Sequence, residues 1–298
     1  MKQAKKVITL TFLVLTALIK PVNAQSINDN GNLLWKVSGK GILQDSYILL
    51  STTSTCETKI VLNKRIKLIV NKVKQIVFET GATNIANEAK AKDLIALESE
   101  GQSAKKILTP KVYLQLLQKA EDLGINEVHL NEVSLWEISI RLNNMINVCG
   151  VSNPDRIEDA LRYYANKNHT QIKELVSIEE YYQILDKYPA SYMELTIDCL
   201  LNKPDSVKAD IEAKAGFYKQ ENYAGIKQTL INSSVFKIRY SFTDIEMYRM
   251  HLLLQRIEDT IKSQPSLLLL DAADIANQKS SIFTLLKEAG YQIEPVLK

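Results

Sequence analysis

The chain has 298 residues, with 37 Lys and Arg against 34 Asp and Glu. At 46% hydrophobic and 24% charged residues it has the composition of a globular protein, long enough for one large core. The near-balance of charge argues against nucleic acid or an anionic membrane surface as a partner.

The first residues predict export. Lys2, Lys5 and Lys6 form a basic segment, Val7 to Ile19 is apolar, and Val22-Asn23-Ala24 fits a small-residue cleavage site. The apolar run is shorter than the roughly 20 residues that cross a bilayer, and Lys20 and Pro21 close it. The expected organisation is a signal peptide over residues 1–24 and a single domain over 25–298, with cleavage after Ala24 and no permanent membrane span in the mature chain. The destination is the periplasm or the extracellular space. Residues 1–24 carry four of the lysines and no acid, so the mature chain is closer still to neutral.

Leu33 to Gly39 and Ser46 to Ser51 read as two strands joined by a loop that opens on Gly39-Lys40-Gly41. Ile60 to Val73 is expected to be a helix and Gln75 to Thr80 a buried strand. Thr83 to Ser103 is polar, either partly helical or a surface excursion. Helical spacing then dominates. Thr109-Pro110 starts one helix, and Ser134 with Glu137 forms a capping box for another. Further helices are expected over 154–167, 177–188, 191–201 and 205–231, the last with a break near Tyr223 to Gly225. Phe242 to Ser263 is the last long helix, with Ile245, Tyr248, Leu252, Leu253, Ile257 and Ile261 on one stripe. Ser266 to Leu270 reads as a strand, Ser280 to Glu288 as a helix ended by Gly290, and Tyr291 to Val296 as a final strand. Strands at both ends and helices between predict an α/β fold of α+β character. One central sheet is built from N- and C-terminal strands, with a large helical insertion.

Cys56, Cys149 and Cys199 have no metal-ribbon spacing, and three thiols or one disulfide of unspecified pairing both satisfy them. His129, His169 and His251 stand alone and are expected to be surface or packing residues. The tyrosines at 181, 182, 188 and 192 are expected to serve packing. Ser51, Thr53 and Ser54 lack the glycines of a nucleophile elbow.

The run Leu33-Leu34-Trp35-Lys36-Val37-Ser38-Gly39 followed by Ser46-Tyr47-Ile48-Leu49 resembles the opening of the TraB/GumN family. Leu267 to Leu270, then Leu285 to Tyr291 and Pro295-Val296, resembles its ending. Glu79 matches the family's glutamate at the end of its third strand, and Arg249 the arginine of its last long helix. The resemblance implies two Gly-x-x-His motifs at strand ends, and a divalent metal held by their histidines and the glutamate, as in the Tiki proteins. This chain departs from that pattern. Leu50 and Thr53 stand at the first motif's glycine and histidine positions, and Asp271 and Asp274 at the second's. Val176 replaces a further family glutamate, and Met250 the asparagine that follows the arginine.

Without both imidazoles the chemistry that needs a neutral nitrogen ligand is lost. Glu79, Asp271 and Asp274 remain as carboxylates that a hard divalent cation could use, but no cofactor is expected. Leu50, Thr53, Glu79, Arg249, Asp271 and Asp274 would line the remnant cleft, with Glu79 and Arg249 the candidates for any residual catalysis. Arg249 is expected to pair with the carboxylates where the family holds its metal. The expected function is that of a non-catalytic relative of metal-dependent peptidases, a pseudoenzyme that binds a peptide or protein ligand or serves as a structural partner. The alternative is an active metal-dependent hydrolase with displaced ligands.

Overall fold

The computed structural model describes residues 32–52, 60–80, 103–146, 156–277 and 280–297. Among these, six strands form one mixed sheet: β1 (Leu34–Gly39), β2 (Ser46–Ser51), β3 (Gln75–Thr80), β4 (Gln171–Val176), β5 (Ser266–Asp271) and β6 (Tyr291–Pro295). Their order is β4-β3-β5-β2-β1-β6. β5 is parallel to both β3 and β2, β4 is parallel to β3, and β1 runs antiparallel to β2 and β6. The expected sheet made from both ends of the chain is therefore present, and the fold is α/β.

The four leucines Leu267–Leu270 are buried, as a parallel strand covered on both faces requires. The polar start of that strand is satisfied in place. Gln75 Nε2 donates to Ser266 Oγ at 2.8 Å, and the Ser266 amide donates to Ser46 Oγ at 3.0 Å. β4 lies at the sheet edge and exposes Gln171, Lys173 and Glu174, and the two charged side chains discourage edge-to-edge pairing. In the β1–β2 connection Gly39, Lys40 and Gly41 all have positive φ, which explains two glycines so close together.

Two apolar cores follow. The larger surrounds the sheet, where Trp35 packs edge-on against Phe283 and Tyr223, ring centroids 5.0 and 6.4 Å away. The second lies within the helical region and gathers Leu116, Leu130, Ile138 and Ile197.

The helices are α1 (Lys64–Lys72), α2 (Ala104–Ile107), α3 (Pro110–Lys119), α4 (Glu127–Leu130), α5 (Leu135–Ile146), α6 (Ile157–Lys167) and α7 (Ile178–Leu185). They continue as α8 (Ala190–Asn202), α9 (Pro204–Lys219), α10 (Tyr223–Asn232), α11 (Ser234–Ser241), α12 (Thr243–Ser263), α13 (Ala273–Ala276) and α14 (Ile282–Glu288). None is long and apolar enough to cross a membrane.

Several boundaries differ from expectation for local reasons. α1 begins at Lys64, because Asn63 Oδ1 accepts from the Ile66 amide at 2.8 Å and caps it there. The break in the 205–231 segment falls at 220–222, and Asn222 caps α10 through the Gly225 amide at 3.0 Å. β4 lacks the alternation that marks a strand, and its apolar contact is confined to Leu175 and Val176. The Ser134 cap is present, its Oγ accepting from the Glu137 amide at 3.1 Å. The stripe on α12 is rotated. Its buried face is Glu246, Arg249, Met250, Leu253, Ile257 and Ile261, while Tyr248 is half exposed. The expected signal peptide, Thr53, Cys56, Cys149 and most of the 83–103 segment lie outside the described residues. Cys199 is a buried free thiol.

Candidate functional site

β2, β3 and β5 run parallel, so their C-terminal ends emerge on one side of the sheet. Register places Ser51 opposite Asp271 and Phe78 opposite Leu269. Glu79 and Asp271 are thereby neighbours, and the Asp271 amide lies 3.5 Å from Glu79 Oε2. In open α/β sheets this is where ligands bind.

α12 crosses these strand ends. The buried face of its C-terminal half is apolar, with Leu253, Ile257 and Ile261, and its N-terminal half turns Glu246 and Arg249, one turn apart, toward the carboxylates. Arg249 Nη1 donates to Glu79 Oε1 at 2.9 Å and lies 3.4 Å from Asp274 Oδ2, while Nη2 donates to Asp274 Oδ1. Arg249 Nη2 also lies 3.5 Å from Glu246 Oε2. Arg239 of α11 completes the cluster. Its Nε donates to Glu246 Oε1 at 2.9 Å, and its Nη2 lies 3.3 Å from Asp274 Oδ1. The Tyr188 hydroxyl donates to Glu246 Oε1. Asp274 and Glu246 are each about 1% exposed and Arg249 about 7%, so these are buried charges.

Their titration follows from the arrangement. Burial pushes the Glu79 carboxyl up to about 8, with Asp274 adding to the shift and Arg249 opposing it. Burial also raises Asp271, helped by Asp274. Asp274 and Glu246 go the other way. Burial disfavours their charge, but Arg249 and Arg239 outweigh it and hold both below the usual carboxylate range. In the neutral range, then, Asp274 and Glu246 balance the two guanidiniums while Glu79 is largely protonated. Neutral Glu79 still accepts from Arg249 through its carbonyl oxygen.

These residues line a cavity of about 290 Å³. Glu79, Asp271 and Asp274 form its floor with Arg239 and Arg249, and Glu158 contributes another carboxyl. Trp136, Tyr181, Tyr188 and Tyr192 form an aromatic wall, in which the Tyr188 and Tyr192 rings lie 4.4 Å apart. Three tyrosines expected to serve packing therefore face this space as well. Glu79, Arg249, Asp271 and Asp274 come together as site residues. Leu50 is buried within the sheet beside Leu270 and is not among the lining residues. His169 and His251 are exposed and take no part in the cavity.

The described residues do not fit a divalent metal. No imidazole lines the cavity, and both oxygens of Asp274 and one of Glu79 already face guanidinium groups. No group of three or more His, Cys, Asp or Glu among the described residues could hold a metal ion.

Sequence reasoning missed Glu246, Arg239 and Tyr188. The Glu246–Arg249 spacing of three residues was a visible signal for a shared helix face. An apolar stripe that includes Ile245 and Tyr248 masks it. Nothing local marks Arg239, whose partners are brought to it by the fold.

An open mixed α/β sheet with a charged cavity at the C-terminal ends of parallel strands defines the class. The chain belongs to the TraB/PrgY/gumN family, whose sequence model matches residues 33–295. Comparison with curated proteins and with solved structures found no match.

Proposed function

We propose that this protein is an exported, non-catalytic member of its family, which binds a peptide or protein ligand in the strand-end cavity. The observation that supports this most is the double engagement of Arg249 with Glu79 and Asp274. A guanidinium occupies the faces of the carboxylates that a metal would need, and its charge repels a cation. The aromatic wall beside the floor offers an amphipathic surface suited to side-chain recognition. Export rests on the basic and apolar opening with its Val22-Asn23-Ala24 site.

The test uses the purified mature protein. Metal analysis should find no stoichiometric transition metal, and peptides should remain intact with added Mn²⁺ or Co²⁺. Rebuilding both motifs, by Leu50→Gly with Thr53→His and Asp271→Gly with Asp274→His, should be a precondition for metal-dependent cleavage. Chelator-sensitive cleavage by the unmodified protein would replace this proposal with a hydrolase whose ligands have moved. Intact mass of the exported protein should show loss of residues 1–24, and a full-length membrane-integrated product would overturn the export claim.

A further inference from the structure

The strand-end cavity is lined by four carboxyls and two guanidiniums, and their pairing is uneven. Glu79 and Asp274 face Arg249, and Asp274 faces Arg239 as well. Glu158 and Asp271 form no ion pair among the described residues. Asp271 Oδ1 at least accepts from the Ala273 amide at 2.8 Å. Glu158 takes no hydrogen bond from another described residue. It stands in the first turn of α6, where an acid favours the helix dipole. Asp159 beside it already fills that role at the surface and lies 3.7 Å from Arg156. Glu158 instead is partly buried and lines the cavity. A carboxylate withdrawn from water without a counter-ion is costly to keep.

The aromatic wall belongs to the same cavity. The Trp136 ring lies 5.8 Å from Tyr192 and 6.5 Å from Tyr188, and Tyr181 lines the space with them. No described cation sits over any of these four rings. Elsewhere Lys67, Lys187 and Arg239 lie 4.9–5.6 Å from the ring centroids of other tyrosines. Aromatic rings beside an unpaired carboxylate suit an organic cation. Arg249 adds a second unmet demand. Its Nη atoms are committed to carboxylates, but its Nε is buried and has no acceptor. A carbonyl oxygen would satisfy such a donor.

We infer that the ligand carries a basic side chain, whose cationic head pairs with Glu158 beside the aromatic wall while an adjoining peptide carbonyl accepts from Arg249 Nε. This rests on the peptide-binding reading above and names the residue type that the cavity selects. Arg249 keeps a metal ion from the gap between Glu79 and Asp274, whereas Glu158 comes from a different element and pairs with neither guanidinium. At about 290 Å³ the cavity is at the small end of ligand pockets, which begin near about 300 Å³. It therefore admits one side chain with its adjoining peptide groups.

The experiment titrates the folded mature protein with N-acetyl-lysine methylamide, N-acetyl-norleucine methylamide and n-butylammonium, read by ligand-observed NMR. The lysine compound should bind about tenfold or more tighter than the uncharged norleucine compound, the scale of one charge-assisted contact. Glu158→Gln should erase that difference and leave norleucine binding as it was, and Asp159→Asn should change neither. Equal affinities in the wild-type protein would overturn the inference and leave a peptide site without charge preference. Binding of none of the three would overturn it together with the peptide reading, because one residue is what the cavity admits. Butylammonium binding as tightly as the lysine compound would overturn the carbonyl contact and make free amines the ligand. The decisive comparisons are made on the wild-type chain, so a misfolded variant cannot obscure them.

Discussion

Arg249 Nη1 lies 2.9 Å from Glu79 Oε1, although 170 residues separate the two in sequence. The same guanidinium reaches Asp274 and Glu246, so one side chain ties β3, α12 and α13 together. Replacing it by Met would leave buried carboxylates short of positive charge. Arg249→Met should cost about 3–5 kcal/mol in urea unfolding, the scale of a broken buried pair. Arg249→Lys should recover only part of this, because an ammonium cannot fork between two carboxylates. A loss for Arg249→Met below about 1 kcal/mol, typical of an exposed pair, would contradict the network.

Glu79 gives the protein a pH dependence of definite sign. Its carboxyl titrates near about 8 in the fold against 4.5 when unperturbed. Between these values the folded state holds a proton that the unfolded chain has released. The contribution is complete below 4.5 and is lost as pH rises through about 8. Glu79→Gln should flatten this decline, measured as urea midpoints across that range. Asp274 has the opposite sign. Its depressed pKa contributes stability above 3.8 that disappears as pH falls through its folded value. A Glu79→Gln protein that kept the wild-type slope would show that another group carries it.

Gly225 in the first turn of α10 should not tolerate alanine. Alanine ordinarily gains about 1 kcal/mol over glycine within a helix. Here a Cβ would lie 2.5 Å from Phe217 Cδ1 and 2.6 Å from its Cγ, so the ring must move at its root. Gly225→Ala should therefore lower stability by about 1–3 kcal/mol, the scale of overpacking. Thermal unfolding would read this, and a raised Tm would show that the ring yields freely.

Trp35 tests the joining of the two chain ends. It is fully buried on β1 and touches Tyr223 of α10 and Phe283 of α14. Trp35→Ala should cost about 3–5 kcal/mol, measured by urea unfolding. A mild effect would mean that the N-terminal hairpin packs independently of the C-terminal helix.

Much of the frame was legible from local pattern. The leucine run at 267–270, the strands at 34–39 and 75–80 and the Ser134 cap all rest on contacts a few residues apart, or on burial so complete that composition reveals it. Family membership was legible for a related reason, since ordered strand motifs at both ends survive even when single functional residues change. β4 was not legible, because an edge strand with one buried end shows neither alternation nor an apolar run. α12 was assigned correctly but rotated, because a helix that buries Glu246 and Arg249 breaks the rule that buries only apolar side chains.

Sequence alone determined an α/β chain in which Glu79, Asp271 and Asp274 end strands or follow them, with no histidine at the matching positions. Arg249 was expected to pair with those carboxylates and does, but that Arg239 and Glu246 complete the network was decided only by tertiary structure. Arg239 and Arg249 lie on helices far along the chain from Glu79 on β3, and the fold brings them to the same cluster. Periodicity reports which face of an element is buried. It carries no information about which charge on another element will meet it, because Coulomb pairing depends on distance in space and on the loss of water around the pair.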